Sequence, residues 1–113
     1  MKVLIIEDDE LIGLLIQEEL EDHNIPSIIA PSGVEAYKIL FNTTKDFDFI
    51  IWLPDENGVE IVKFIKEKFY SKIIIYTGKS FDDYKDKCFY DYFVEKGLSV
   101  TEVTKIITDT SLV

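Results

Sequence analysis

The sequence predicts an α/β domain built on a doubly wound, five-stranded parallel sheet. Short, strongly apolar segments alternate with longer amphipathic ones, as in a succession of strand–helix units. The middle apolar segment, Phe47–Trp52, is almost uninterrupted, which is typical of a central strand covered by helices on both faces. The length of 113 residues suits one domain, which we place at residues 1–113.

The first unit is a strand at Lys2–Ile6 followed by a helix over about Glu10–Asp22. Apolar residues return in this helix at a spacing close to the helical period. The leucines that predict its buried stripe are Leu11, Leu14, Leu15 and Leu20.

The second unit is a strand at Ile25–Ala30, weakened by Pro26, and a helix over Val34–Phe41. The turn between them contains Ser32, whose side chain suits a helix N-cap. A polar loop over Asn42–Lys45 then leads to the central strand.

The third unit joins the central strand to a helix whose start is marked by Asn57, with Glu60 three residues later as in a capping box. One face of this helix is apolar, and its predicted buried residues are Val59, Val62, Ile65 and Phe69.

The last two units begin with strands at Lys72–Tyr76 and Tyr92–Glu95. The helix predicted over Phe81–Tyr90 has a poor apolar period. Ser99 and Glu102 form a second capping-box pattern, which opens a final helix. The residues predicted to be buried in that helix are Val100, Val103 and Ile106 or Ile107.

Five such units make a flavodoxin-like (βα)5 fold, whose functional edge lies at the carboxyl ends of the strands. The hydrophobic fraction of 47% suits a packed globule. Cys88 is the only cysteine, which fits a reducing compartment and a small core residue. No apolar run is long enough to span a bilayer, so we expect a cytoplasmic protein without membrane contact.

The charge of the chain excludes one class of partner. Its net charge is −10, with 22 acidic residues against 12 basic ones, all of them lysines. Nucleic acids and anionic lipids require a basic footprint, so we expect no nucleic-acid binding. His23, the only histidine, follows the first helix and is expected on the surface rather than as a phosphodonor.

Three segments, taken in order, resemble the receiver (CheY-like) domain of bacterial response regulators. They are Val3-Leu4-Ile5-Ile6-Glu7-Asp8-Asp9-Glu10, Ile73-Ile74-Ile75-Tyr76-Thr77-Gly78 and Tyr92-Phe93-Val94-Glu95-Lys96. The Leu53-Pro54 step also matches, and the likeness covers nearly the whole chain. It implies two-component signal transduction, in which a receiver accepts a phosphoryl group with Mg²⁺ and passes the signal to a protein partner.

The resemblance assigns roles to five residues. Glu7 and Asp8 match the acidic pair that holds Mg²⁺, Lys96 matches the lysine that pairs with the phosphoryl group, and Thr77 matches the hydroxyl that hydrogen-bonds it. Tyr92 matches the switch aromatic, which turns inward with Thr77. Considered alone, each of these residues also has a simpler explanation. Glu7 and Asp8 suit the stabilisation of a helix start, Thr77 suits a turn, and Lys96 suits a solvated surface position.

The segment after the central strand departs from the family pattern. Trp52 passes directly into Leu53-Pro54, and no aspartate stands at the strand end. One alignment deletes the phosphoacceptor and two following residues after Trp52, and another places Ile50 at the acceptor position. The stretch from Thr77 to Lys96 is also about three residues short. The resemblance therefore implies a pseudo-receiver, a domain not phosphorylated at the usual site.

Two other aspartates bear on this conclusion. Asp55, just after Pro54, is the substitute phosphoacceptor we consider. Asp48 lies at the start of its strand, roughly 13 Å from the carboxyl edge, and is excluded. Without an acceptor carboxylate, Glu7 and Asp8 would hold Mg²⁺ only weakly. We further hypothesise that Lys96 pairs permanently with Asp8 or Glu7 and fixes the pocket in one state.

Three functions remain at this point. The first is a protein-interaction or switch module that is not an enzyme and that binds a histidine kinase or a downstream effector. The second is a phosphoaccepting receiver using Asp55 or an aspartate that this sequence lacks. The third is a small Mg-dependent phosphohydrolase. The expected partner surface is the face formed by the helix over Phe81–Tyr90, the strand Tyr92–Glu95 and the final helix. Its aromatic residues, which suit a binding hot spot, are Phe81, Tyr84, Phe89, Tyr90, Tyr92 and Phe93. The expected state is a monomer or weak dimer.

Overall fold

A computed structural model of the chain describes residues 2–42, 47–53, 59–69, 71–77, 90–95 and 100–111. Its strands and helices are β1 (Val3–Ile6), α1 (Glu10–Asp22), β2 (Ser27–Ala30), α2 (Gly33–Asn42), β3 (Phe49–Trp52), α3 (Val59–Lys68), β4 (Lys72–Thr77), β5 (Tyr92–Glu95) and α4 (Thr101–Ser111). Strands and helices alternate as predicted from β1 to β4. Of the helix predicted over Phe81–Tyr90, only Tyr90 is among the described residues.

The five strands form one parallel sheet in the order β2-β1-β3-β4-β5, which confirms the predicted flavodoxin-like architecture. The chain runs outward from β1 to β2 and returns to β3 on the other side of β1. The direction of winding therefore changes between β1 and β3. In open α/β sheets, ligand sites form at the carboxyl ends of the strands beside such a switch point.

Side chains alternate between the two faces of the sheet, as the pleat of a strand requires. On one face, β1 and β3 pack against α2 and α3 in a cluster that includes Leu4, Ile6, Ala36, Leu40, Ile50, Trp52 and Ile65. On the other face, they pack against α1 and α4 in a cluster that includes Val3, Ile5, Ile16, Leu20, Phe49, Ile51, Val103 and Ile107. This double cover explains why β3 is apolar at every position.

Helix α1 buries a different face from the one predicted. Leu11, Leu14 and Leu15 have exposed fractions of 74%, 41% and 62%, so assigning them to the core was wrong. Of the predicted stripe only Leu20 is buried, together with Gly13 and Ile16. A Cβ atom at residue 13 would lie 3.2 Å from Ile29 Cγ2, so the helix approaches β2 through its glycine. This close approach turns the leucines outward.

The other helices largely follow the prediction. Ile65 of α3 is buried and Phe69 packs partly buried beside it, whereas the side chains of Val59 and Val62 are not among those described. Val103 and Ile107 of α4 are buried, with Val100 and Ile106 partly buried. The Oγ of Ser32 accepts a hydrogen bond from Glu35 N at 3.1 Å, which confirms this residue as a cap. Asn57 and Ser99 lie outside the described residues.

Among the described helices, none combines the length and the apolar character needed to cross a membrane.

Candidate functional site

The sheet ladder continues one residue beyond both β1 and β3 at the switch point. Glu7 N donates to Ala30 O at 3.0 Å, and Leu53 N donates to Ile6 O at 3.1 Å. Because Ile6 pairs with Trp52, Glu7 and Leu53 follow paired positions on adjacent strands. The side chain of Leu53 is buried, with 7% exposed, in the cluster under α1 and α4.

Two of the carboxylates after β1 accept hydrogen bonds from backbone N–H groups close by in the sequence. Glu7 is 6% exposed, and its Oε1 accepts a hydrogen bond from Asp9 N at 2.9 Å. Asp9 caps α1, because its Oδ1 accepts hydrogen bonds from Leu11 N at 2.9 Å and from Ile12 N at 3.3 Å. Asp8, between them, is exposed. Two of the three carboxylates therefore help to define the start of α1.

A magnesium ion needs several oxygen ligands, mostly carboxylates, carbonyls and water. Across the part of the chain that the structure describes, no group of three or more His, Cys, Asp or Glu residues could hold a metal ion. Glu7 and Asp9 direct carboxylate oxygens to backbone N–H groups, and Asp8 faces solvent. The described residues do not make a complete magnesium site.

Strand β4 ends at this edge with a tyrosine and a threonine. Thr77 is buried, with 6% exposed, and lies opposite Glu95 in the ladder between β4 and β5. Burial raises the pKa of the neighbouring Tyr76 hydroxyl. The strand prediction ended one residue early, at Tyr76, but it placed Thr77 correctly at the strand end.

The structure thus brings Glu7, Asp8 and Thr77 to the same edge of the sheet. The β4 strand is two strand spacings from β1, or about 10 Å. Lys96, which follows directly after β5, and Asp55, which follows Pro54, both lie outside the described residues.

Tyr92 stands at the first position of β5, half-buried on the face of the sheet that carries α1 and α4. Its ring centroid is 6.5 Å from that of Phe49, with the rings tilted by 37°. Tyr90 and Phe93 form a second ring pair, at 6.2 Å, packed against the opposite cluster. Of the predicted aromatic surface, these three residues are described and Phe81, Tyr84 and Phe89 are not.

The amino-terminal edge of the sheet contains an ion pair that the sequence interpretation missed. Asp91 Oδ2 lies 2.6 Å from Lys66 Nζ of α3 and accepts a hydrogen bond from Ile73 N at 2.8 Å. Asp91 N donates in turn to Ile73 O at 2.9 Å. Burial alone would raise the pKa of Asp91, but the hydrogen bonds from Lys66 and Ile73 and the charges of Lys66 and Lys72 outweigh it and lower the pKa.

Asp48 repeats this arrangement at the start of β3. Its Oδ2 accepts a hydrogen bond from Lys2 N at 2.8 Å, and its N donates to Lys2 O at 2.9 Å. This contact places Asp48 at the edge opposite Glu7, as the sequence predicted. A repeated signal was therefore available, because Asp48 and Asp91 each stand just before an aromatic residue that opens a strand.

His23 follows α1 as its C-cap and is exposed. Its Nδ1 lies 3.0 Å from Glu19 O at the helix end, so the predicted surface position is confirmed.

Comparison with known proteins identifies related sequences. The family model for the response regulator receiver domain matches residues 3–108. Response regulator ArlR of Staphylococcus saprophyticus is 34% identical over 92 residues, which are 80% of this chain and 41% of ArlR. The transcriptional regulatory protein CpxR of Escherichia coli is 24% identical over 78 residues, 69% of this chain and 34% of CpxR. The chain spans about two fifths or less of the length of these relatives.

Solved structures share the fold. A two-component response regulator from Clostridium difficile superimposes with a TM-score of 0.84 at 20% identity, covering 96% of this chain and 93% of that one. Response regulator TrrA of Thermotoga maritima, solved in complex with Mg²⁺ and BeF, has a TM-score of 0.80 at 24% identity, covering 96% of both chains. At these identities the likeness establishes the fold alone.

Proposed function

The chain belongs to the family of response regulator receiver domains, and from that premise we propose that it is a switch or docking module not phosphorylated at the usual site. Receiver domains are signalling modules rather than enzymes, so the phosphohydrolase alternative is set aside. We place the protein in the cytoplasm, where a histidine kinase or an effector would meet it.

The main support for this proposal is that a leucine, Leu53, stands beside Glu7 at the end of the central strand. By the family resemblance, the phosphoacceptor ends the central strand. In this chain the ladder passes from Trp52 to Leu53, whose N bonds Ile6 O at 3.1 Å. A leucine side chain offers no oxygen to a phosphoryl group, and its burial in the core fixes it there.

The acids at this edge support the same conclusion. Receiver domains bind Mg²⁺ during phosphorylation, and the ion must bridge carboxylates near the acceptor. Glu7 binds Asp9 N and Asp9 caps α1, which leaves exposed Asp8 as the described acid most open to a metal. We propose that Mg²⁺ binds weakly and that Lys96 pairs permanently with Glu7 or Asp8. The pocket would then hold one state.

The experiment is an intact-mass measurement after incubation with acetyl phosphate and Mg²⁺. We expect no gain of about 80 Da, the mass of a phosphoryl group, in protein whose circular dichroism confirms folding. The matched control is Asp55→Asn. A gain in the wild type that this variant abolishes would identify Asp55 as the acceptor and overturn the proposal in favour of a phosphoaccepting receiver.

The partner surface is proposed to include β5, with the ring pair Tyr90 and Phe93, and α4. Half-buried aromatic rings at a surface are suited to binding hot spots. Titration of isotope-labelled protein with the dimerisation domain of a histidine kinase should shift amide resonances in 90–95 and α4. Shifts confined to other elements would assign the partner to a different face.

A further inference from the structure

Four aromatic side chains cluster on α2, α3 and the residue after α3, and two of them, Tyr37 and Phe69, pack partly buried against the core. Tyr37 is their hub, and the centroid of its ring lies 5.9 Å from that of Phe41, 5.4 Å from Phe64 and 6.5 Å from Phe69. Phe41 is 71% exposed and Phe64 is 40% exposed. We call Tyr37, Phe41, Phe64 and Phe69 the α2–α3 aromatic face.

The packing of these helices does not require the two exposed members of this face, Phe41 and Phe64, to be apolar. Their inner sides already bury Ala36, Leu40 and Ile65 against the sheet. Phe41 lies in the last turn of α2 with most of its ring in solvent, where a polar residue would be tolerated. Single exposed apolar residues are ordinary, but contiguous rings of this kind mark interaction surfaces.

The distribution of charge indicates which kind of partner fits this face. The charged residues of α2 and α3 are four lysines and three glutamates, namely Lys38, Lys63, Lys66, Lys68, Glu35, Glu60 and Glu67. This surface is therefore close to neutral in a chain whose net charge is −10. Helix α1, in contrast, carries five acidic residues and no basic one. A basic partner would be drawn to α1 rather than to this face.

A second copy of the chain, by contrast, would favour the α2–α3 aromatic face over α1. Two molecules of charge −10 repel each other over most of their surfaces, and the repulsion is least where both signs occur together. At the α2–α3 aromatic face, Lys38 already pairs with Glu35 at 3.5 Å, and Lys68 Nζ lies 5.2 Å from the centroid of the Phe64 ring. Such a mixed rim is complementary to itself, as a two-fold interface requires.

We propose that the α2–α3 aromatic face is a homodimer interface, independent of the pocket at the carboxyl edge. Two ten-residue helices side by side present a surface about 15 Å long and roughly 20 Å wide. That is well below the ~800 Å² per partner of a standard stable interface, so the dimer is weak. Its dissociation constant falls in the micromolar-to-millimolar range.

Sedimentation equilibrium from about 10 µM to about 1 mM tests this proposal. The average mass should rise from 13.1 kDa toward twice that value as the concentration increases. Raising the salt concentration from about 0.05 to about 0.5 M should strengthen association, because salt screens the repulsion between acidic copies and leaves the apolar contact. A wild-type mass that stays at 13.1 kDa over the whole range would overturn the proposal.

Two variants locate the interface. Phe41→Asp should raise the dissociation constant about tenfold or more, since it places a charge among the aromatic rings. Leu15→Asp is the matched control, because it adds the same charge at another exposed apolar residue, 62% exposed on α1. Both variants should keep the wild-type circular dichroism spectrum. Dissociation by Leu15→Asp with no effect of Phe41→Asp would place the interface on α1 and contradict the proposal.

Discussion

Lys66 Nζ lies 2.6 Å from Asp91 Oδ2, and the same oxygen accepts the backbone hydrogen bond of Ile73. One carboxylate thus joins α3, β4 and the residue that precedes β5. The exposed fractions of the two side chains are 30% and 27%, so the pair is partly shielded from water. Tyr92, which the resemblance matches to the switch aromatic, is the next residue, so these contacts tie the start of its strand to β4 and α3.

Asp91→Ala should lower the free energy of unfolding by about 2 kcal/mol. The substitution removes a charge-assisted hydrogen bond and leaves Lys66 Nζ and Ile73 N without this acceptor. Urea denaturation measures the change. Glu35→Ala is the control, because the Glu35–Lys38 pair is 3.5 Å long with side chains 48% and 63% exposed, and its loss should cost at most about 0.5 kcal/mol. Equal losses in the two variants would contradict the structural role of Asp91.

The stabilisation by Asp91 should depend on pH. Its pKa is lowered in the folded state, so the unfolded state binds more protons between the two pKa values. The contribution is then fully present above the ordinary carboxyl pKa of about 4 and is lost as the pH falls through the lower folded pKa. Urea denaturation of the wild type and Asp91→Asn from about pH 7 to about pH 2 should give a difference that shrinks in acid. A constant difference would mean that the charge of Asp91 is irrelevant.

The topology followed from the sequence because β3 is apolar at every position and polar residues mark the strand ends. The buried face of α1 did not follow, since the sequence does not reveal that Gly13 lies against Ile29. Counting leucines favoured Leu11 and Leu15, which point to solvent.

In the candidate site, too, some features followed from the sequence and others did not. The resemblance placed Glu7 and Thr77 at one edge, where the structure also has them. The hydrogen bond from Asp9 N to Glu7 depends on local backbone geometry that composition does not specify. The Lys66–Asp91 pair spans 25 residues, so helical or strand periodicity could not reveal it.

The proposed fixed pair of Lys96 is testable by a double-mutant cycle. Glu7 is 6% exposed and Asp8 is exposed, so a lasting partner of Lys96 should be Glu7. We expect a coupling energy above about 1 kcal/mol between Glu7→Gln and Lys96→Met, and at most about 0.5 kcal/mol between Asp8→Asn and Lys96→Met. Thermal unfolding supplies the energies. A coupling near zero in both cycles would exclude the fixed pair.

Leu53→Asp should restore a metal response to the pocket edge. The substitution exchanges a buried leucine for a carboxylate on the strand beside Glu7, so it should destabilise the domain without metal. Because Mg²⁺ binds oxygen ligands and only the folded state brings them together, about 10 mM Mg²⁺ should raise the Tm of this variant by roughly 4 °C or more, and that of the wild type by about 1 °C at most. Leu53→Asn, with the same shape and no charge, is the control. If Mg²⁺ shifts the Tm of Leu53→Asp no more than that of Leu53→Asn, residue 53 does not lie beside the acids at the metal-binding edge.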